Sequence, residues 1–242
     1  MSVPERIVPD ETEPGIVALH ATRYEFALPL CAGKDVLDAG CGVGYGSAIL
    51  ADAARRVVGV DRSDDAIAYA LRHYSRPNVE FAVDDLLELG QPDAAFDVVC
   101  AFEAIEHVAD PSAHLVHVRR VLRPGGVYIA STPRVERTTL TPENPYHSVE
   151  FSQDDFRHLL GRHFGRVELY GQRRVQTRRH RLLQRLDVLG LRRRLPFLRK
   201  AGRPLLGTAA TEDVGSEGIV ISREGIERAS ELVAVCRSPR QA

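Results

Sequence analysis

The chain has 242 residues, 44% apolar, 27% charged and 6% aromatic, with no Trp and one Met, a composition that excludes disorder, collagen and a bundle of membrane spans. Its 32 Lys and Arg nearly balance 33 Asp and Glu, for a net charge of −1, so the molecule as a whole has no attraction to nucleic acid or to an anionic membrane. A chain of this length can bury roughly three quarters of its unfolded surface.

Met1 to Gly15 carries four acidic residues and three prolines and lacks the basic and apolar regions of a secretory leader. Ile16 to Leu30 has the spacing of a helix and carries His20, Arg23 and Tyr24. Asp35 to Ala39 is a short apolar run that breaks into Gly40, Gly42, Gly44 and Gly46 and continues as helical Ser47 to Arg55, which reads as strand, glycine loop and helix. The alternation goes on with strand Arg56 to Val60, helix Asp64 to His73, strands Val79 to Val83 and Phe96 to Phe102, helix Pro111 to Leu122 and strand Gly126 to Ser131. Such alternation predicts an α/β fold, a doubly wound and mostly parallel sheet with helices on both faces. Arg123-Pro-Gly-Gly126 reads as a turn between the last helix and strand of that series.

After Pro133 come a polar loop, helix Ser152 to His163, strand Arg166 to Gly171 and a final strand Glu231 to Arg237. Between those two strands, residues 173–203 hold twelve Arg or Lys and one Asp. They are expected to form a basic helical cap or lid inserted into one domain of residues 1–242. Arg178 to Lys200 interleaves leucines with arginines, which suits a lid over phosphates of an acceptor, peripheral contact with an anionic membrane, a grip on RNA, or a solvated helical pair with its leucines on the core. Nucleic acid is the weakest of these readings, since Phe197 is the only aromatic there to offer a stacking face. Cys31, Cys41, Cys100 and Cys236 lie in or beside apolar runs without C-x-x-C spacing, the pattern of reduced, buried thiols in a cytoplasmic protein.

The alternate glycines after Asp38 let a ligand approach backbone N–H groups where a strand becomes a helix. A nicotinamide fingerprint G-x-G-x-x-G fails, because its last position falls on Tyr45 or Ser47. A carboxylate at Asp38 repels pyrophosphate and favours a ligand with an ammonium or sulfonium charge, and S-adenosylmethionine carries both. Asp61 follows Gly40 by 21 residues, the spacing at which an acidic side chain reaches ribose hydroxyls. Asp84 and Asp85 end the next strand, where they can meet the amine of adenine or merely cap a turn.

With V-L-D-A-G-C-G-V-G-Y-G, V-V-G-V-D, V-D-D-L, F-D-V-V-C-A-F-E-A-I-E-H-V and L-R-P-G-G-V-Y-I-A-S-T-P in order, the chain resembles the class I S-adenosylmethionine-dependent methyltransferases over about Arg23 to Gly171. The resemblance implies a seven-stranded Rossmann-like sheet of order 3-2-1-4-5-7-6 with the last strand antiparallel. It implies a cofactor site of Tyr24, Asp38, Gly40, Cys41, Gly42, Gly44, Asp61, Arg62, Asp84, Asp85 and Phe102, with Arg23 and Tyr24 closing over the methionine end.

Glu103-Ala-Ile-Glu106-His107 follows the fourth strand, and residues at i, i+3 and i+4 share one helical face. His147 lies on the loop after the fifth strand and enters the same edge. In this combination the chain is similar to the small-RNA 2′-O-methyltransferases and to the ubiquinone-biosynthesis O-methyltransferases. Glu103, Glu106, His107 and His147 are therefore candidate ligands of a divalent ion, Mg, Mn, Fe or Zn, which would lower the pKa of a sugar hydroxyl. The plainer reading has the cluster lining an acceptor pocket, with His107 or His147 as general base and Glu106 beside them. The expected activity is methyl transfer from S-adenosylmethionine to a hydroxyl of a small polar, sugar-bearing or nucleotide-linked acceptor. RNA 2′-O-methylation, N- or C-methylation, and a non-catalytic cofactor-binding protein of the same fold are the alternatives.

Overall fold

The computed structural model describes residues 6–174 and 218–239. Helix α1 (Pro14–Cys31) precedes strand β1 (Asp35–Ala39), helix α2 (Tyr45–Leu50), strand β2 (Arg56–Asp61), helix α3 (Asp64–His73) and strand β3 (Val79–Val83). Strand β4 (Phe96–Phe102) leads into a 3-10 turn (Ile105–His107), then α4 (Pro111–Val121), β5 (Leu122–Val135) and β6 (Phe151–Ser152). Helix α5 (Gln153–His163) and strand β7 (Phe164–Arg174) follow, and β8 (Ile219–Ser222), a second 3-10 turn (Ile226–Arg228) and β9 (Glu231–Pro239) close the described chain.

Helix ends carry their own signals. Asp110 and Ser152 each cap a helix through side-chain oxygens that accept backbone N–H groups of the first turn. Helix α2 stops at Leu50, five residues before the expected end, and residues 51–55 pass as a turn into β2. Arg123 to Gly126 is not a separate turn but a bulge inside β5: Phe96 pairs with Leu122 and Val98 with Val127, so four residues bulge opposite one, with Gly125 at φ +79°.

The strands run in the order β3-β2-β1-β4-β5-β9-β7-β8, with β6 paired to β5. Counting β7 as sixth and β9 as seventh, this is the expected 3-2-1-4-5-7-6 core, and β9 is antiparallel to both neighbours. The short strands β6 and β8 are additions the sequence did not announce. Successive side chains of each strand point to opposite faces. Leu37, Val99, Ala101 and Tyr128 pack with Leu115 of α4 and Phe156 of α5. Val36, Val98, Cys100 and Ile129 pack with Ala27 of α1 and Leu50 of α2. All four cysteines are buried and free. No helix among the described residues is long and apolar enough to cross a membrane. The basic stretch Arg178 to Lys200, with its expected cap, lies outside the described residues; of residues 173–203 only Arg173 and Arg174 are described, at the end of β7.

Candidate active site

Parallel β1, β2 and β4 all end at one sheet edge, so Gly40, Asp61 and Phe102 open onto a common cavity of about 900 Å³. This is where doubly wound folds hold ligands. The cavity also receives His20 and Tyr24 from α1, Asp85 from beyond β3, and Glu103, Glu106 and His107 from beyond β4, while Asn144, Tyr146 and His147 form a strap across one side.

The glycine loop divides by function. Gly40 and Gly42 line the cavity at φ +83° and +54°, and a Cβ on Gly42 would meet nothing within 4 Å. Gly44 does not line it; a Cβ there would lie 2.7 Å from Ala70 and Phe81, so this glycine lets α3 and β3 close on the loop. Asp61 fixes the loop from β2, its two oxygens accepting the backbone N–H groups of Gly42 and Ser63, each at 3.0 Å. Cys41 and Arg62 line the cavity beside it.

Besides Gly44, two expected cofactor contacts are corrected. Asp38 is fully buried behind the loop, where its carboxyl accepts from Ser47 Oγ at 2.6 Å and from Tyr24 at 3.5 Å. Burial pushes its carboxyl up to about 7, so it organises the loop and does not face the cavity. Asp84 also turns away, accepting from the Gly90 N–H and the Gln91 amide; its neighbour Asp85 is the one that reaches the cavity. Tyr24 and Phe102 meet edge to face, their ring centroids 4.8 Å apart.

Of the four expected metal ligands, three converge. One ligand atom each of Glu106, His107 and His147 lies within 4.8 Å of the others. Glu103 does not join them. Its backbone sits at φ +50°, its N–H donates to Ser131, and its carboxylate accepts from Ser131 Oγ at 2.7 Å and pairs with Arg23 at 3.4 Å. Arg23 is itself buried, donating from Nε to Gln172 Oε1 at 2.6 Å and lying 3.8 Å from Glu231. Gln172 and Glu231 were invisible as site residues, because nothing local in the sequence marks a partner on a strand so far along the chain.

The histidines differ. His107 Nδ1 lies 3.0 Å from the Tyr146 carbonyl, which can only accept, so Nδ1 carries the proton and Nε2 is the basic nitrogen. His147 holds the strap: Nδ1 donates to Glu150 at 2.8 Å, and the Asn144 amide lies 3.1 Å from Nε2. Asn144 and Glu150, each three residues from His147, were findable by spacing. Glu106 is fully buried, with the Thr132 hydroxyl as a hydrogen-bond partner. Burial and the charge of Glu103 hold its carboxyl well above the usual carboxylate range, a rise that Arg23 and the Thr132 hydroxyl moderate.

Residues 37–130 match the methyltransferase domain family. A probable S-adenosylmethionine-dependent methyltransferase of Mycolicibacterium smegmatis is 42% identical over 146 residues, 58% of this chain and 55% of that protein. A ubiquinone biosynthesis O-methyltransferase of Paramagnetospirillum magneticum is 38% identical over 117 residues, 48% of this chain and 47% of that protein. The chain thus spans about half the length of these curated relatives. Among solved structures, the N-methyltransferase NodS of Bradyrhizobium japonicum, in complex with S-adenosyl-L-homocysteine, superposes with a TM-score of 0.60 at 13% identity, over 98% of this chain and 94% of that one, a likeness of fold.

Proposed function

We propose that the chain is a class I S-adenosylmethionine-dependent methyltransferase, as its likeness to the methyltransferase domain family and to the Mycolicibacterium relative supports, and that it methylates a hydroxyl of a small polar acceptor, sugar-bearing or nucleotide-linked, with His107 as general base. The observation that carries this reading is the fixed tautomer of His107 in the cavity that the glycine loop and Asp61 share.

S-adenosylmethionine, when bound, supplies an electrophilic methyl group on a positively charged sulfur, and the carbon–sulfur bonding pair stays with sulfur as the methyl leaves. Gly40 and Gly42 leave room for its methionine part, Asp61 offers its remaining lone pairs to the ribose hydroxyls, and Asp85 stands where the adenine amine can donate. His107 Nε2 takes the proton of the acceptor hydroxyl as the oxygen attacks, while Nδ1–H stays bonded to Tyr146. Oxygen as the methylated atom is supported by the named activity of the Paramagnetospirillum relative.

A second reading rests on the convergence of Glu106, His107 and His147. These three fit a divalent ion, which would lower the pKa of a hydroxyl bound to it; His147 would have to release Asn144 to join. Formation of S-adenosylhomocysteine with a panel of hydroxylated acceptors tests both. His107→Ala is expected to lower kcat about 10²- to 10⁴-fold with S-adenosylhomocysteine affinity kept, and chelator is expected to change nothing. Activity abolished by chelator and restored by a divalent metal would instead establish the ion. Full activity in His107→Ala would end the base assignment, and no turnover with any acceptor would leave a cofactor-binding protein.

A further inference from the structure

A second cavity, of about 370 Å³, opens between the start of α4, α5 and the loop from β5 to β6, and its size is at the small end of ligand sites. Ala109 and Ser148 line both this cavity and the first, so they form the wall between the two. The floor is apolar: Val149, Phe151 and Leu159 are each at most 7% exposed. Leu140 lines the same cavity and is 78% exposed, a large aliphatic side chain that an apolar group seated on the floor would cover favourably. The rim carries both signs of charge. Asp110 spends Oδ1 on the N–H groups of Ser112 and Ala113, each at 2.9 Å, and Asp155 spends Oδ2 on the hydroxyls of Thr138 at 2.5 Å and Ser152 at 2.9 Å. The second oxygen of each carboxylate makes no hydrogen bond among the described residues, and Arg162 makes no ion pair among them. Asp155, Leu159 and Arg162 stand at i, i+4 and i+7 on one face of α5, and helical side chains lean toward the N-terminus, which brings the guanidinium back toward the carboxylate.

We propose that this cavity is a second ligand site, for an α-amino acid with an aliphatic side chain. The side chain lies on the floor beside Leu140, the ammonium meets the unspent oxygens of Asp110 and Asp155, and the carboxylate meets Arg162. A ligand with one charge fits less well, since an amine faces the guanidinium and a carboxylic acid faces two carboxylates. The Thr138 and Ser152 hydroxyls hold the Asp155 carboxyl below the usual carboxylate range, which keeps it charged for the ammonium. The site does not depend on the methyl-transfer reading, but it touches the same machinery. Ser148 donates from its N–H to the Glu106 carbonyl at 2.7 Å and from its hydroxyl to the His107 carbonyl at 3.4 Å. An occupant against Ser148 therefore bears on the turn that carries His107, which makes the amino acid an effector and not a substrate.

The test is an NMR titration of the full chain with L-leucine, glycine, isoamylamine and 4-methylpentanoic acid, the last two being leucine without its carboxylate and without its ammonium. Leucine is expected to bind about fivefold more tightly than either analogue, the worth of one exposed ion pair, and about tenfold more tightly than glycine, which has no side chain for the floor. Leucine should shift the backbone amide signals of Ala109 and Ser148 and leave those of Gly40 and Gly42 in place. Arg162→Ala and Leu140→Ser, both at exposed positions, should each weaken leucine binding while the thermal melt stays that of the parent. Equal binding of leucine and either analogue, equal binding of glycine, or no binding of leucine at its solubility limit would each overturn the proposal. So would shifts confined to Gly40 and Gly42, which put leucine in the first cavity, or an affinity that neither variant changes.

Discussion

Arg23 Nη1 lies 3.4 Å from Glu103 Oε1, and through this contact the N-terminal helix is tied to the end of the fourth strand at the back of the cavity. The guanidinium is 1% exposed and serves Gln172 and Glu231 as well. Burial and the Glu103 charge push the Glu231 carboxyl up to about 8, so this corner already holds more acid than one arginine can balance.

Removing that arginine should be severe. Arg23→Met is expected to destabilise the fold by about 3–5 kcal/mol, because breaking one side of a buried pair leaves the other charge uncompensated. Urea unfolding of variant and parent measures it. A double variant Arg23→Met with Glu103→Gln should recover part of the loss, since it removes the stranded charge.

The glycines separate stability from binding. Gly44→Ala, whose Cβ would sit 2.7 Å from Ala70 and Phe81 at φ +89°, is expected to destabilise the protein by at least ~2 kcal/mol from steric clash and left-handed backbone together. Gly42→Ala meets no atom within 4 Å and should cost only ~1 kcal/mol. Gly42→Val, however, should fold and lose S-adenosylhomocysteine binding, because its side chain enters the cavity. Thermal melts and calorimetric titration of the set show whether the two effects part in this way.

Asp61→Ala removes the clamp on Gly42 and Ser63 together with two proposed bonds to ribose. Charge-assisted hydrogen bonds contribute roughly 1.5–3 kcal/mol each, so S-adenosylhomocysteine affinity should fall roughly 100-fold or more by calorimetry. Asp84→Ala, by contrast, should leave affinity unchanged, because that side chain serves Gly90 and Gln91 instead.

Asp38 gives the ligand-free protein a pH dependence of stability. Its carboxyl has an ordinary value of 3.8 and a folded one of about 7, so between these values the native state holds a proton that the unfolded chain has released. Its contribution is fully present below about pH 4 and is lost as pH rises through about 7, up to ~4 kcal/mol in all. Asp38→Asn keeps an acceptor for Ser47 and cannot ionise. Relative to the parent it should therefore gain stability at pH 8 compared with pH 5, by urea unfolding at both.

The sheet was legible because its signals are local: apolar runs, the interval between them, and the glycines that break them. Helix α2 came out shorter than its pattern because Ala51 to Arg55 is apolar enough to continue a helix, while the chain must turn there to bring Arg56 beside Asp35. Within the site, Asp61, Asp85, Glu106, His107 and His147 were readable from spacing and from strand ends. What spacing could not tell was direction. Asp38, Asp84 and Glu103 occupy the expected positions, but their carboxylates are taken up by Ser47, by Gly90 and Gln91, and by Arg23 and Ser131. A residue's address comes from local sequence, whereas its orientation is settled by partners that fold in from elsewhere.

Strands β7 and β8 are antiparallel, with Arg174 directly opposite Ile219. The two ends of whatever joins them therefore stand side by side on the same ladder, and the sheet asks of that connection only that it return to its starting point. Closing a long connection costs little more than closing a short one, since the entropy grows only with the logarithm of length. A chain in which Arg174 and Ile219 are joined by a two-residue hairpin turn such as Asn-Gly is expected to keep the β7–β8 ladder, and its thermal melt beside the parent's measures what the replaced connection contributes.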